Sequence, residues 1–338
     1  MNYNFKKALV VGLGSIGRRH IRILLTLYPG IGVAVLRHKE CDKNETQDLQ
    51  IQACYTKIED VLKFKPQFAI IANPSSKHLK IASFLASAGV HLLIEKPLAD
   101  ESQNLSKFIN LCKEKKIVLM TGYNLRFSPS LQKFQKLINE KIIGDIYSIH
   151  SEVGQYLPSW RPGTNYQNNV SAQKKLGGGV LRELSHEIDY LNWIFGPIIW
   201  VKSEVSRLSS LKIDVEDSAK IIFGVRAPND NQISGTLSMD FIRHDTTRNC
   251  LVVGELGTLK WDGITEEVLI YRAGKKSWEV VYKLKCGSDY TYIQEIKNFI
   301  ASIDSLSPPS VSGEDGLNVL LAIEAISKSS EKGSIVYL

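Results

Sequence analysis

Three groups of residues in this sequence have the types and spacing to do chemistry. The first is Gly12-Leu13-Gly14-Ser15-Ile16-Gly17, a G-x-G-x-x-G run that directly follows an apolar stretch and precedes a segment of helical spacing. In such a loop the first glycine permits a tight turn. The second lets the backbone approach a pyrophosphate, and the third allows close packing of helix on strand. The N-terminus of the following helix offers unpaired N–H groups and a partial positive charge to an anion. The run therefore reads as a dinucleotide-binding loop formed by Gly12, Gly14, Ser15, Ile16 and Gly17; the alternative is a purely structural turn. An Asp or Glu about twenty residues further on would hold the 2′-hydroxyl of NAD. That count falls on Arg37, within Leu36-Arg37-His38-Lys39, and the nearest acid, Glu40, comes later. Guanidinium groups suit a 2′-phosphate, so Arg37 and His38 favour NADP over NAD. The alternative is a basic loop that does not discriminate.

The second group is Glu95-Lys96-Pro97, at the end of the strand-like run His91-Leu92-Leu93-Ile94. Open α/β sheets bind ligands at the carboxyl ends of their strands, so a lysine there is placed to hold a reacting hydroxyl. The proline restricts Lys96 and admits a cis bond. Read without context, the same tripeptide is a surface turn. The third group lies in Gly177-Gly178-Gly179-Val180-Leu181-Arg182-Glu183-Leu184-Ser185-His186-Glu187-Ile188-Asp189-Tyr190. At about 100° per residue, one continuous helix over 177–195 places Arg182, His186 and Asp189 on a single face, with Glu183 at its edge. A neutral imidazole can take a proton from a hydroxyl, and a carboxylate can orient it. The competing reading is a solvated polar face.

These residues need a scaffold. Over 8–13, 33–36, 68–72, 91–94 and 117–120 the chain shows short apolar, β-branched runs, with helical spacing over 16–27, 75–88 and 101–116. Alternating strands and helices predict a parallel, doubly wound sheet. Beyond it come a long strand over 144–156 and seven further strand candidates over 200–208, 217–225, 232–241, 248–253, 259–262, 268–272 and 278–282. Turn residues, such as Ala227-Pro228-Asn229-Asp230-Asn231, separate them. Strands without intervening helices predict an antiparallel sheet. Helices over 292–305 and 313–330 follow. The apolar spacing of Leu317, Leu320 and Leu321 suggests that the last helix packs back on the first domain.

Composition narrows the function classes. The chain has 338 residues, 43% of them hydrophobic and 23% charged, which fits two globular domains and excludes a disordered chain. No run of about 18 apolar residues marks a membrane span. The net charge of +7 is dispersed, without a basic run or a nucleic-acid-binding signature, and points to anionic small molecules rather than nucleic acid. Five scattered cysteines (Cys41, Cys54, Cys112, Cys250, Cys286) form no Cys-x-x-Cys pair, which predicts reduced thiols, no metal site and a cytoplasmic protein.

The glycine loop, Ala72-Asn73-Pro74, Glu95-Lys96-Pro97 and Gly122-Tyr123-Asn124-Leu125-Arg126-Phe127-Ser128-Pro129 stand in an order and spacing that resemble the Gfo/Idh/MocA family, the glucose–fructose oxidoreductase and inositol dehydrogenase-like proteins. The resemblance covers essentially the whole chain. It implies a Rossmann domain over 1–122 and an α+β domain over 123–338, with an open, largely antiparallel sheet that often joins subunits into a homodimer or homotetramer. It implies that Lys96 touches both nicotinamide and substrate, and that Asn73, Pro74, His78, Glu95 and Asn124 lie on the cofactor side. Tyr123, Arg126, Trp160, Arg161 and Arg182 lie toward the substrate. His186 matches the family's catalytic histidine, with Asp189 three residues after it. The family pattern has an Asp four residues before that histidine. Arg182 stands there, so either Glu183, three residues before the histidine, replaces that Asp or the acid is absent. The expectation is an NAD(P)-dependent oxidoreductase acting on a ring hydroxyl or keto group of a sugar-type substrate, phosphorylated or nucleotide-linked. Its competitor is a non-catalytic, dinucleotide-responsive regulator on the same fold.

Overall fold

A computed structural model describes residues 5–226 and 232–338. The expected turn at 227–231 lies outside the described residues. The chain divides into two compact units, Met1–Asn124 with Asp289–Leu317, and Leu125–Ser288 with Asn318–Leu338.

The first unit holds six parallel strands: β1 (Lys7–Val11), β2 (Gly32–Leu36), β3 (Ile51–Tyr55), β4 (Phe68–Ile71), β5 (His91–Glu95) and β6 (Leu119–Gly122). Their order is β3-β2-β1-β4-β5-β6, the doubly wound arrangement. β1, β2 and β4 are buried over nearly their whole length, because helices cover both faces of such a sheet. The order reverses between β1 and β4, so the ends of β1, β4 and β5 lie side by side along one edge. β3 escapes the sequence reading. It is a half-exposed edge strand, Ile51-Gln52-Ala53-Cys54-Tyr55, with no apolar run. The helix Tyr290–Ser305 belongs to this unit, and the segment after it bridges to β6 through Met120 and Ser312.

The second unit is built on a nine-stranded sheet: β7 (Ile146–Gly154), β8 (Ile198–Ser206), β9 (Ser218–Arg226), β10 (Gln232–Asp240), β11 (Thr247–Gly254), β12 (Gly257–Asp262), β13 (Glu267–Arg272), β14 (Glu279–Lys283) and β15 (Val336–Tyr337). The order is β14-β13-β12-β11-β7-β10-β9-β8-β15, antiparallel throughout except for the parallel pair β7–β10. Alternate residues of β10 are buried and exposed, as on a sheet covered by helices on one face. Trp261 is wholly buried on the covered face, and its indole N–H donates to Ser130 Oγ at 3.0 Å.

Three expectations are corrected. The helix expected over 177–195 is two pieces, Val180–Glu183 and His186–Phe195, interrupted at Leu184 and Ser185. The last helix, Gly313–Lys332, is shared: its start through Leu317 belongs to the first unit and the rest to the second, with Leu320 buried and Leu321 exposed. Cys41 and Cys54, expected as reduced thiols, form a disulfide across a Cα separation of 6.1 Å, which β3 makes possible by bringing Cys54 beside the end of β2. Among the described residues, no helix is long and apolar enough to cross a membrane.

Candidate active site

The glycine loop turns at the end of β1. Gly12 adopts φ +92, and a Cβ there would stand 2.8 Å from the carbonyl oxygen of Ala72, at the end of β4. Only glycine fits this left-handed, crowded position. A Cβ on Gly17 would stand 2.1 Å from the Gly12 carbonyl oxygen, which fixes the close seating of the helix Ser15–Leu27 on the sheet. Above Gly14 a Cβ would meet nothing within 4 Å. That open approach lies at a helix N-terminus with no side-chain cap, where the first N–H groups of the helix lack intrahelical acceptors. Beside it, Asn73 Oδ1 and Ser75 Oγ are buried without hydrogen-bond partners. A phosphate-bearing dinucleotide fits this cradle, with N–H groups for its phosphates and an acceptor and a hydroxyl at the neighbouring strand end.

The end of β2 is more heavily charged than the sequence alone suggests. Arg37, directly after β2, donates through Nη1 to Glu45 Oε2 at 2.6 Å, and Arg18 pairs with the other oxygen of the same carboxylate. Glu45 sits at the start of the short helix Lys43–Asp48, where its own N–H is capped by Asp42. The Arg37 hydrogen bond holds the Glu45 carboxyl below its usual range. Arg37 is thus a member of a two-to-one cation–carboxylate group rather than an isolated cation, and His38 is exposed beside it.

At the end of β5, Lys96 is half-buried and its bond to Pro97 is cis. Three residues assigned to the cofactor face elsewhere. His78 is buried, with Nε2 2.7 Å from the Asn73 carbonyl oxygen and Nδ1 3.1 Å from that of Pro97. Burial lowers its pKa, and the ring lies between the ends of β4 and β5. Glu95 turns inward, where His20 Nε2–H donates to its Oε1 at 2.6 Å. The Asn124 amide donates to Thr291 Oγ1 at 2.9 Å, and Tyr123, expected at the substrate, is wholly buried.

In the second unit, Gly179 with φ +110 opens the broken helix, and a Cβ there would stand 2.3 Å from Glu216 Oε1. Glu216 is a residue that sequence reasoning missed. Burial raises its pKa, while its Oε1 accepts from the Leu181 N–H at 3.3 Å. The interruption leaves Arg182 in the first piece, while His186 and Asp189, at i and i+3, belong to the unbroken second piece. Arg182 and His186 are half-exposed, whereas Asp189 is buried. Arg126 Nε donates to both Asp189 oxygens at 3.2 and 2.9 Å, and Arg126 Nη2 donates to Oδ1 at 2.6 Å. This bidentate pair is buried, with the Arg126 and Asp189 side chains 5% and 1% exposed. Glu187, also buried, accepts from Arg248 Nε at 2.8 Å. Glu183 accepts from Ser171 Oγ at 2.7 Å. Trp160 packs edge-on against Phe241 and donates to the Gln155 carbonyl at 3.1 Å, and Arg161 is exposed.

Comparison with known proteins agrees with this architecture. Residues 6–123 match the model described as "Oxidoreductase family, NAD-binding Rossmann fold". Residues 135–338 match "Oxidoreductase family, C-terminal alpha/beta domain". The chain is 25% identical to the myo-inositol 2-dehydrogenase of Thermotoga maritima over 345 aligned positions, covering 97% of each protein. Among solved structures, a levoglucosan dehydrogenase in complex with NADH superposes with a TM-score of 0.85 at 22% identity, covering 99% of both chains. The WlbA dehydrogenase of Bordetella pertussis, in complex with NADH and UDP-GlcNAcA, superposes with a TM-score of 0.83 at 20% identity, again over 99% of both. At these identities the structural likeness speaks for the fold.

Proposed function

The chain belongs to the Gfo/Idh/MocA oxidoreductase family, and on that premise we propose that it is an NAD(P)-dependent dehydrogenase acting on a CH–OH group of a sugar or sugar derivative. The observation that carries this reading is the order of the six-stranded sheet. It sets the glycine loop after β1, Asn73 after β4 and Lys96 after β5 on neighbouring strand ends. A regulator needs the loop alone; a dehydrogenase needs a polar group beside it to hold the reacting hydroxyl.

In this reading the backbone N–H groups after Gly14 hold the phosphates, and Asn73 and Ser75 border them. A bound nicotinamide supplies the hydride exchange. The Lys96 ammonium donates to the substrate oxygen and stabilises the negative charge that develops there during oxidation. His186 takes the hydroxyl proton, and in reduction it returns it. Glu183, hydrogen-bonded to Ser171, is assigned to orienting the site rather than to proton transfer, and Asp189 to holding Arg126. The named substrates of the relatives, inositol, levoglucosan and a nucleotide-linked sugar acid, share vicinal ring hydroxyls, and that class is the one we assign. Arg161, Lys174 and Lys175, all exposed, supply the cationic groups for a phosphorylated or nucleotide-linked substrate.

We assign NADP over NAD. Arg18, Arg37 and Glu45 together keep one positive charge in excess, which suits a 2′-phosphate. For the assembly we retain a homodimer or homotetramer through the second-unit sheet. The test is a fluorescence titration of nucleotide-free protein with NADPH and NADH side by side. Saturable binding with NADPH the tighter is expected; binding of neither removes the reading.

A further inference from the structure

Beneath the strand end that carries Lys96 lies a group of ionisable residues that the proposed reaction does not use. His20 projects from the helix Ser15–Leu27, Glu95 from the end of β5, and Glu295 from the helix Tyr290–Ser305. One ligand-type atom from each lies within 4.8 Å of the other two. His20 and Glu295 are wholly buried, and the Glu95 side chain is 13% exposed. The His20 Nε2–H donates to Glu95 Oε1 at 2.6 Å. Neither Glu295 oxygen has a hydrogen-bond partner. Room for the Glu95 carboxylate is made by Gly122 on β6, where a Cβ would stand 3.2 Å from Glu95 Oε2.

The other charged and titratable groups around the cluster are few. Tyr292 packs edge-on against the His20 ring with centroids 5.8 Å apart, and the Arg19 guanidinium lies over the Tyr292 ring, 4.8 Å from its centroid. Arg19 is itself paired with Asp289 at 3.1 Å. Among the described residues no ion pair joins Glu295 to an arginine or lysine, and Arg19 is committed to Asp289. Two carboxylates this close, one wholly buried and neither facing a cation that neutralises both, cannot both stay ionised at moderate cost.

We propose that Glu295 is a carboxylic acid in the native protein, kept protonated by its burial and by the nearby Glu95 carboxylate, so that His20, Glu95 and Glu295 form a buried proton-holding cluster beneath the strand end that carries Lys96. Burial, and then the Glu95 charge, push the Glu295 pKa well above the usual carboxylate range, in agreement with the geometry. The protonation claim stands whether or not the protein is a dehydrogenase, because it concerns the first unit alone.

The sign of the pH dependence follows. A group whose folded pKa is raised stabilises the native state fully below its unfolded pKa, about 4.3 for Glu, and loses that contribution as pH rises toward the folded value. One extra bound proton changes the folding constant tenfold per pH unit. The experiment is chemical denaturation of the whole chain, in EDTA, at a series of pH values from about pH 5 upward. Wild type and Glu295→Gln are compared, since the amide copies the neutral acid but cannot ionise. The expected result is that the wild type loses about tenfold in folding constant per pH unit relative to E295Q. Parallel pH profiles of the two proteins overturn the proposal. If E295Q does not fold, Glu95→Gln takes its place: with the neighbouring charge gone, the window of pH-dependent loss moves to lower pH, and an unmoved window overturns the proposal. Zinc or manganese chloride added to EDTA-free wild type is the last arm. Stabilisation by either ion that E295Q lacks would make the cluster a cation site and refute the proton-holding role; no metal effect agrees with it.

Discussion

Replacing Asp189 by Asn separates a structural role for this residue from the catalytic one suggested by its place three residues after His186. Its carboxylate receives three N–H···O contacts from Arg126, and the two side chains are 1% and 5% exposed. Asparagine keeps the volume but removes the charge and one acceptor, leaving a guanidinium buried without its counter-ion. Breaking a buried pair from one side costs about 3–5 kcal/mol. In a cooperative unit of the size of the second one, each kcal/mol lowers the melting temperature by about 2–4 °C, so that unit of D189N should melt roughly 6–20 °C below wild type. The assay is thermal unfolding of wild type, D189N, R126M and the double variant. The double variant should recover part of the loss, because it no longer buries one charge without its counter-ion. A loss below about 1 kcal/mol in D189N, combined with abolished turnover, would refute the structural assignment and restore Asp189 to the chemistry.

The charged group at the end of β2 gives two more expectations from one substitution. Glu45→Gln leaves Arg18 and Arg37 without a carboxylate, so the affinity ratio of NADPH to NADH should rise about tenfold, which is about 1.4 kcal/mol; an unchanged ratio would place the 2′ position elsewhere. The variant should also alter the acid limb of stability. The Glu45 pKa is lowered, first by its hydrogen bond to Arg37, so its contribution is full above the unfolded value and lost as pH falls through the folded one. E45Q should therefore lose stability less steeply on acidification than wild type, as read by denaturation midpoints.

The parallel sheet was legible because its central strands are continuous apolar runs and its glycine loop fixes where β1 ends. β3 was not, because an edge strand with half-exposed residues carries no such run. The antiparallel sheet was legible from consecutive strand runs without helices between them, but not the parallel β7–β10 pairing, which sets together segments far apart in sequence. Site residues divide the same way. Lys96 and the glycines are read from local motifs. Glu45 and Glu295 are not, since their partners Arg37 and Glu95 meet them only through the tertiary fold, 8 and 200 residues away. The wheel through Arg182, His186 and Asp189 assumed an unbroken helix; the interruption at Leu184 and Ser185 takes Arg182 off it, and Asp189, in one piece with His186, is buried against Arg126.

The central claim is hydride transfer at a carbon whose oxygen Lys96 holds, and the most direct measurement is turnover of wild type against Lys96→Met. Cofactor-loaded protein is mixed with cyclic polyols, anhydrosugars and nucleotide-linked sugars while nicotinamide absorbance is followed, and cofactor affinity is measured in parallel. The account predicts turnover on a ring-hydroxyl substrate that falls at least about 100-fold in K96M, with cofactor affinity nearly unchanged. Equal turnover by K96M and wild type would contradict it.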